Sequence, residues 1–285
     1  MQETNAKTFV QSGPVLVVGA TGKTGRRVAA GLEKRGVAVR SGSRSATPAF
    51  SWSDEAGWDA CLAGVRGVYV NYAPDLAVPG AGDAIRAFCE RAASHGVERL
   101  VLLSGRGEAE AQACEKIVLE SGTPATVVRA SWFNQNFSEG AFVGMVQSGE
   151  IALPAGAMRE PFVDVNDIAD VAVAALTEDG HAGEIYEVTG PRLMNFDEIA
   201  ETLSSACGRE ITYQNIPHDA FVAGLKASGA PEDIVWLLDY LFATVLDGRN
   251  AHLCDGVKRA LGRPPKDFSD YARETAARGV WEIAT

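Results

Sequence analysis

Three glycines spaced three residues apart follow the first apolar segment of the chain. The run Val15–Val18 leads into Gly19, and Gly22 and Gly25 follow before a helical pattern begins. Such a turn lets backbone N–H groups approach a pyrophosphate, and the helix start adds a positive dipole end. An ATP-binding loop is the alternative for Gly22-Lys23-Thr24, but that motif requires glycine at position 17, which is valine. We therefore predict a dinucleotide-binding turn.

The segment after the second predicted strand indicates which nucleotide binds. NAD sites usually carry a carboxylate about 20 residues after the glycines, where it holds the ribose 2′-hydroxyl. No Asp or Glu lies between Lys34 and Ser53, although the chain contains 37 acidic residues. The segment contains Arg40, Arg44 and Ser45 instead, which suit a 2′-phosphate, whereas a solvated basic loop is the alternative. We predict NADP(H), with Arg44 and Ser45 at the phosphate.

The proton donor that short-chain dehydrogenases commonly use is missing. In those enzymes a lysine four residues after a tyrosine lowers the pKa of that tyrosine. None of the six tyrosines, at positions 69, 72, 186, 213, 240 and 271, has such a lysine. Ser104, at the end of the predicted strand 100–103, is our candidate catalytic residue, and contact with the cofactor backbone alone is its alternative role.

Other reactive side chains show no catalytic or metal-ligand spacing. We predict no metal site, and we interpret the five cysteines as reduced thiols and the four histidines as solvated. Cys114 is interpreted as a buried, inert thiol, with a redox role as the alternative. Glu115 and Lys116 are interpreted as a surface pair on a helix.

An aromatic and amide-rich segment, 131–137, follows the sixth predicted strand. We predict that it forms a wall of the nicotinamide and substrate pocket, with a plain core role as the alternative. Trp236 and Tyr240 lie four residues apart on one helix face, so they belong either to a core or to the pocket. The predicted substrate-pocket residues are Trp132, Phe133, Asn136, Trp236 and Tyr240. The predicted cofactor contacts are Gly19, Thr21, Gly22, Lys23, Thr24, Gly25, Arg44, Ser45, Asn71, Tyr72, Ala73, Ser104, Gly105, Ser131, Trp132 and Phe133.

Predicted strands alternate with predicted helices over the first two thirds of the chain. This alternation predicts an α/β fold, a Rossmann-type doubly wound parallel sheet with a smaller, mainly helical C-terminal domain. The predicted strands are 15–18, 37–40, 50–52, 68–71, 100–103, 126–128, 184–188 and 211–214. The predicted helices are 24–34, 56–63, 81–94, 108–120, 165–176, 196–206, 219–228, 231–244, 255–261 and 268–278. We predict a flexible tail at 1–12, an NADP-binding domain at 13–190, with 131–162 contributing to the substrate pocket, and a small substrate or lid domain at 191–285.

Composition narrows the class of partners. The chain has 285 residues and a net charge of −11, which argues against a nucleic-acid or membrane-surface partner. No apolar run approaches the roughly 20 residues of a membrane span. The first twelve residues are polar and lack the apolar centre of a signal peptide. We predict a cytoplasmic protein that binds a small hydrophobic or aromatic substrate.

Six segments together resemble the NmrA-like group of atypical short-chain dehydrogenases, over nearly the whole chain. Within that group they are similar to ergot-alkaloid reductases of the festuclavine dehydrogenase type and their bacterial relatives. The segments are Gly19-Ala20-Thr21-Gly22-Lys23-Thr24-Gly25, Arg44, Leu102-Leu103-Ser104-Gly105, residues 131–137, Pro161-Phe162-Val163-Asp164-Val165-Asn166-Asp167-Ile168-Ala169, and Gly262-Arg263-Pro264-Pro265.

This resemblance implies one of two functions. The first is an NADPH-dependent reductase of a quinone, an imine or iminium, or an activated enone, because such acceptors need little protonation during hydride transfer. The second is a regulatory sensor that binds NADP(H) without turning it over and changes its contact with a protein partner. We predict the reductase and keep the sensor as the alternative.

Overall fold

Short runs of apolar residues form the strands at 15–18, 67–70, 99–105 and 125–130, which are largely buried on both faces, as is usual for the central strands of a parallel sheet. The computed structural model describes residues 13–282, so the predicted tail at 1–12 lies outside it. The strands are β1 (Val15–Val18), β2 (Val39–Gly42), β3 (Gly67–Val70), β4 (Arg99–Gly105), β5 (Ala125–Ala130), β6 (Glu150–Leu153), β7 (Ile185–Val188) and β8 (Thr212–Asn215). The helices are α1 (Gly25–Lys34), α2 (Trp58–Leu62), α3 (Ala81–Ser94), α4 (Ala109–Leu119), α5 (Asn136–Glu139), α6 (Val143–Ser148), α7 (Val165–Thr177), α8 (Phe196–Cys207), α9 (His218–Ala227), α10 (Glu232–Tyr240), α11 (Gly256–Leu261) and α12 (Phe268–Ala276).

Six strands form one sheet in the order β2-β1-β3-β4-β5-β7, and helices flank it. Strand β1 pairs in parallel with both β2 and β3, so that Val15 lies opposite Val39 and Gly67. Strand β3 pairs in parallel with β4. The predicted Rossmann-type parallel sheet is confirmed. The strand order reverses at β1, and open sheets of this kind bind ligands at the carboxyl ends of the strands beside that reversal.

The predicted strand at 50–52 is wrong, because its aromatic rings pack into a cluster instead of joining the sheet. The ring centroids of Phe50 and Trp52 are 5.2 Å apart, and those of Trp58 and Phe88 are 5.4 Å apart. The indole of Trp58 also donates to the Ser51 carbonyl oxygen at 2.8 Å. Aromatic residues favour strands on propensity alone. In this segment, however, the rings pack against Trp58 of α2 and Phe88 of α3.

The second strand begins two residues later than predicted. The backbone N–H of Val37 donates to the Leu32 carbonyl at 3.0 Å, and that of Gly36 donates to the Glu33 carbonyl at 2.9 Å. These bonds complete the end of α1, with Gly36 at φ +74°. Val37 therefore belongs to the helix end, and the strand extends to Gly42.

Further elements differ from the predictions, among them the short helices α5 and α6, which were not predicted. Strand β6 was not predicted, and it pairs in parallel with β8 in a separate two-stranded sheet. The predicted helix at 231–244 is divided into α10 and a π-helical turn, Leu241–Val245.

The described chain falls into two compact units. The first comprises residues up to 104, 110–128 and 169–186, and the second comprises 105–109, 129–168 and 187 onward. The first core includes Leu16, Phe88 and Leu102, and the second includes Phe196 and Phe268. The predicted domain boundary after residue 190 stays a prediction. Within residues 13–282, no helix has both the length and the apolar character that a membrane crossing requires.

Replacing Gly25 with alanine should destabilise the fold. A Cβ at this position would lie 2.7 Å from the Gly19 carbonyl carbon and closer still to its oxygen, so the backbone itself must shift. We expect Gly25→Ala to lower the free energy of unfolding by about 1–3 kcal/mol, the usual effect of forcing extra volume into a packed site. Chemical denaturation of the purified variant measures this.

Gly224→Ala is the matched control. Gly224 lies within α9, and a Cβ there would meet no heavy atom within 4 Å. Alanine in a helix interior is favoured over glycine by about 0.5–1 kcal/mol, so this variant should be slightly more stable. Equal stability of Gly25→Ala and the wild type would contradict the close packing of the turn.

Candidate cofactor site and its neighbouring acids

The glycine turn joins β1 to α1 with no side chain between the two backbones. The Gly22 N–H donates to the Gly19 carbonyl at 2.8 Å and closes the turn. A Cβ at Gly22 would meet only that carbonyl oxygen within 4 Å, at 3.2 Å, so its other side is open. Around it, Thr21 is exposed, Lys23 is half-buried and Thr24 is buried. This open, side-chain-free backbone beside a helix start fits a pyrophosphate.

The end of β2 presents a free arginine. Arg44 is exposed, and within residues 13–282 its guanidinium forms no hydrogen bond or ion pair. The hydroxyls of Ser43 and Ser45 lie 3.3 Å apart beside it. Arg40 is engaged elsewhere, because its guanidinium donates to the carbonyl oxygens of Cys61 at 2.8 Å and Ala63 at 2.6 Å. Arg44 and Ser45 are therefore the groups at this strand end that are available to an anion.

The end of β3 lies against the glycine turn. A Cβ added to Gly19, which has φ +70°, would lie 2.7 Å from the Asn71 amide nitrogen. The Trp52 indole donates to the Asn71 carbonyl at 3.1 Å, and the rings of Trp52 and Tyr72 are 4.8 Å apart. Ala73 follows and is exposed. The structure thus brings predicted contacts from two strand ends together at the reversal of the sheet.

Ser104 is buried and donates a hydrogen bond to Glu115 Oε1 at 2.6 Å. The interpretation of Glu115 and Lys116 as a surface pair is wrong, since the Glu115 side chain is buried and Lys116 pairs with Glu120 instead, at 3.8 Å. On the same helix, burial raises the pKa of the Cys114 thiol to about 11, so this thiol stays protonated near neutral pH. The hydroxyl hydrogen of Ser104 is therefore held by the carboxyl group of Glu115.

A second serine–glutamate pair lies in the other unit. Ser131 directly follows β5, and its hydroxyl donates to Glu160 Oε2 at 3.3 Å. Glu160 is only 1% exposed, and its Oε1 has no hydrogen-bond partner among the described residues. Burial raises the pKa of Glu160 to about 7, although the charge of Arg106 opposes the shift. No motif or spacing in the sequence singles out this carboxyl.

A buried guanidinium organises the segment after β4. Arg106 contacts Glu187 at 3.3 Å, the His252 ring at 2.9 Å and the Cys254 sulfur at 3.4 Å. Glu187, His252 and Cys254 place three possible ligand atoms within 4.8 Å of one another. Because Arg106 already supplies a cation there, and Arg129 Nη1 lies 2.5 Å from Glu187 Oε1, we interpret the cluster as an ion-pair network.

One histidine departs from the interpretation of solvated side chains. His181 is buried, and its Nδ1 lies 2.8 Å from the Tyr186 hydroxyl. Burial lowers the pKa of His181, so this imidazole is neutral near pH 7. His95 lies at the end of α3, and its Nε2 is 3.0 Å from Oδ1 of Asp59.

The aromatic side chains of the second unit occupy two settings. Trp132 is half-buried, and its ring packs edge-on against Phe242 at 5.2 Å. Phe133 and Asn136 are also half-buried. Trp236 is 41% exposed and stacks on Tyr240, with centroids 5.5 Å apart and planes 4° apart. Trp236 lines an open pocket of about 550 Å³ that also contains Glu232 and Asp239.

The sheet topology and the glycine turn define a dinucleotide-binding protein of the Rossmann type, and comparison with known proteins gives the family. The NmrA-like family matches residues 110–257. The NAD(P)H azoreductase of Xenophilus azovorans is 30% identical and aligns over 92% of this chain and 98% of its own length. Festuclavine dehydrogenase of Aspergillus fumigatus is 31% identical and aligns over 93% of this chain and 98% of its own length. The structure of an Escherichia coli NADPH-dependent quinone oxidoreductase in complex with NADPH shares the fold, with a TM-score of 0.77 and 21% sequence identity. The match covers 91% of this chain and 99% of that one.

The chain belongs to the NmrA-like family. The predicted resemblance is confirmed, and so is the predicted class, an NAD(P)H-dependent oxidoreductase. The individual cofactor and substrate contacts stay predictions.

Stability should depend on pH through Glu160. Its folded pKa of about 7 exceeds the ordinary value of 4.5, so the folded protein holds a proton that the unfolded chain releases. This contribution to stability is complete below pH 4.5 and is lost as the pH rises through about 7. Relative to Glu160→Gln, the wild type should lose on the order of 3 kcal/mol of unfolding free energy between about pH 4.5 and 8.

Denaturant titrations at several pH values measure this difference. Glu150→Gln, the same change at an exposed position on β6, should follow the wild-type curve. Parallel curves for the wild type and Glu160→Gln would show that Glu160 is already ionised in the folded protein.

Proposed function

We propose that this chain uses NADPH, in preference to NADH, to reduce a flat hydrophobic acceptor: a quinone, an imine or iminium, or an activated enone. The observation that carries the cofactor preference is the end of β2. It offers the guanidinium of Arg44, which has no partner among residues 13–282, and the sequence has no carboxylate there to hold a ribose hydroxyl. Arg44 and Ser45 would hold the 2′-phosphate, and Gly19, Gly22 and Gly25 would hold the pyrophosphate.

The remaining predicted contacts divide between the adenosine and nicotinamide ends. Asn71, Tyr72 and Ala73 would follow the cofactor past the turn. Ser104, Gly105, Ser131, Trp132 and Phe133 all lie at the ends of β4 and β5, the side of the sheet where ligands bind. When bound there, NADPH supplies the hydride for the reduction.

The missing tyrosine–lysine pair and the aromatic rings near the end of β5 support this class of acceptor. No tyrosine has a lysine four residues on, so we propose a reaction without that dyad. Acceptors that carry positive charge or give a stabilised anion need less help from a proton donor. The half-buried rings of Trp132 and Phe133 would pack against a flat acceptor and exclude water, with Asn136, Trp236 and Tyr240 farther along the pocket.

A panel of acceptors tests the proposal. Purified protein is mixed with NADPH and a benzoquinone, a cyclic iminium or an activated enone, and oxidation of NADPH is followed by absorbance. We expect turnover with at least one acceptor, and slower turnover with NADH. Cofactor binding without oxidation by any acceptor would instead favour the alternative, a regulatory sensor.

Arg44→Ala should change cofactor preference. A charge-assisted contact with the 2′-phosphate contributes about 1.5–3 kcal/mol, so NADPH affinity should fall roughly tenfold to a hundredfold. NADH lacks that phosphate, so its affinity should be unchanged. Calorimetry with both cofactors measures the two Kd values.

Lys34→Ala controls for the loss of one positive charge. Lys34 lies at the far end of α1 from the glycine turn, so both affinities should stay at the wild-type values. Equal losses for NADPH and NADH in Arg44→Ala would show that Arg44 has a structural role instead.

A further inference from the structure

Glu160 is a buried carboxyl that forms no ion pair with any residue that the structure describes. Its Oε2 accepts one hydrogen bond, from Ser131 at 3.3 Å, and its Oε1 has no partner among residues 13–282. An ionised carboxylate in this position would lack the donors that a buried charge requires. A neutral carboxyl carries its own proton and needs fewer partners, so the surroundings favour the protonated form.

We propose that Glu160 holds the proton that the reduction consumes and delivers it through the hydroxyl of Ser131. Ser131 follows the last residue of β5, at the carboxyl edge of the sheet where ligands bind. Ser131 is then the catalytic residue, and Glu160 is the positioning residue that supplies it. This inference rests on the proposed reductase function.

The charged groups around Glu160 set the pH range of this role. Burial is the main cause that raises its pKa, to about 7, and the negative charge of Asp247 adds to the shift. Arg106 opposes it. Asp247 is ionised at neutral pH, since hydrogen bonds from Arg249 hold its pKa at about 2. A proton donor is most effective when its pKa lies near the working pH, as here.

The proposed step balances in atoms and electrons. The acceptor gains two electrons and one hydrogen as hydride from NADPH, which becomes NADP⁺. For this step the Ser131 hydroxyl turns from Glu160 Oε2 towards the heteroatom of the quinone or enone and gives it a proton. The protonated Oε2 of Glu160 then donates to the Ser131 oxygen and replaces that proton. Glu160 is left as a carboxylate, and water returns its proton before the next turnover. The hydrogen bond between Ser131 and Glu160, at 3.3 Å, is longer than most O–H···O hydrogen bonds, and the proposed transfer requires it to shorten.

The acceptors divide into two kinds, which makes the role testable. A quinone or an enone must be protonated after hydride transfer, whereas an iminium carbon takes hydride and becomes a neutral amine with no proton required. Glu160→Gln should therefore lower kcat for the quinone and the enone by about 10²–10⁴ relative to kcat for the iminium. For the wild type, kcat for the quinone should fall as the pH rises above about 7.

Three further variants separate proton supply from structural damage. Ser131→Ala should lower the ratio of quinone turnover to iminium turnover as Glu160→Gln does, measured at saturating NADPH because Ser131 is also a predicted cofactor contact. The double variant should lower this ratio no more than either single variant, because the two groups act as one unit. Glu160→Asp keeps a carboxyl and should restore part of the quinone activity. Glu150→Gln, on the surface, should behave as wild type with every acceptor.

Infrared spectroscopy of the protein without cofactor gives a readout independent of turnover. The wild type should show a carbonyl band of a protonated carboxyl that disappears near pH 7, and Glu160→Gln should lack that band. Absence of the band in the wild type at pH 6 would overturn the proposal.

The kinetic outcomes distinguish the two levels of the hypothesis. If the wild type oxidises NADPH with none of the acceptors, the reductase function fails and the proton role falls with it. If the wild type is active but Glu160→Gln lowers kcat equally for the iminium and the quinone, only the proton role is overturned.

Discussion

Backbone packing without side chains at the end of β1 is the constraint on which the cofactor end of the fold depends. Gly25 approaches the Gly19 carbonyl, Gly19 approaches Asn71, and a Cβ at Gly42 would lie 2.9 Å from the Val17 carbonyl oxygen. Three chain segments therefore meet at distances that only glycine permits. Because the turn is formed by backbone, it can hold any dinucleotide pyrophosphate. The choice between NADP and NAD must come from side chains outside the turn. Arg44, just after the end of β2, is an exposed, positively charged side chain in that position.

Local sequence patterns predicted the elements whose structure is decided locally. β1 and α3 match their predicted bounds, because a short apolar run rich in valine favours a strand and a long amphipathic stretch followed by Gly96 favours a helix. Phe50 and Trp52 show the limit, since the same aromatic residues suit a strand or a cluster, and contact with Phe88, 36 residues beyond Trp52, decides between them.

The candidate site likewise contains residues that the local sequence indicates and one residue that only the tertiary fold reveals. The glycine turn is contiguous in sequence and was predictable. Glu115 could have been found too, since Ala111, Cys114, Glu115 and Val118 have the spacing of one buried helix face. Glu160 carries no such signal. It follows an exposed arginine in a short irregular segment, and the groups that set its protonation come from Ser131, Arg106 and Asp247, which only the tertiary fold brings together.

Two glutamates of the same unit show why one is suited to carry a proton and the other is not. Burial raises the pKa of Glu187, but hydrogen bonds from Cys254 and Arg129 outweigh it, so the pKa is lowered and the side chain stays ionised. Glu160 has Arg106 nearby without a direct ion pair, so burial prevails. When two carboxyl groups have different surroundings, their pKa values differ, and they can then serve different roles. Glu187 fixes the Arg106 network in place, and Glu160 is left with an exchangeable proton beside a strand-end serine.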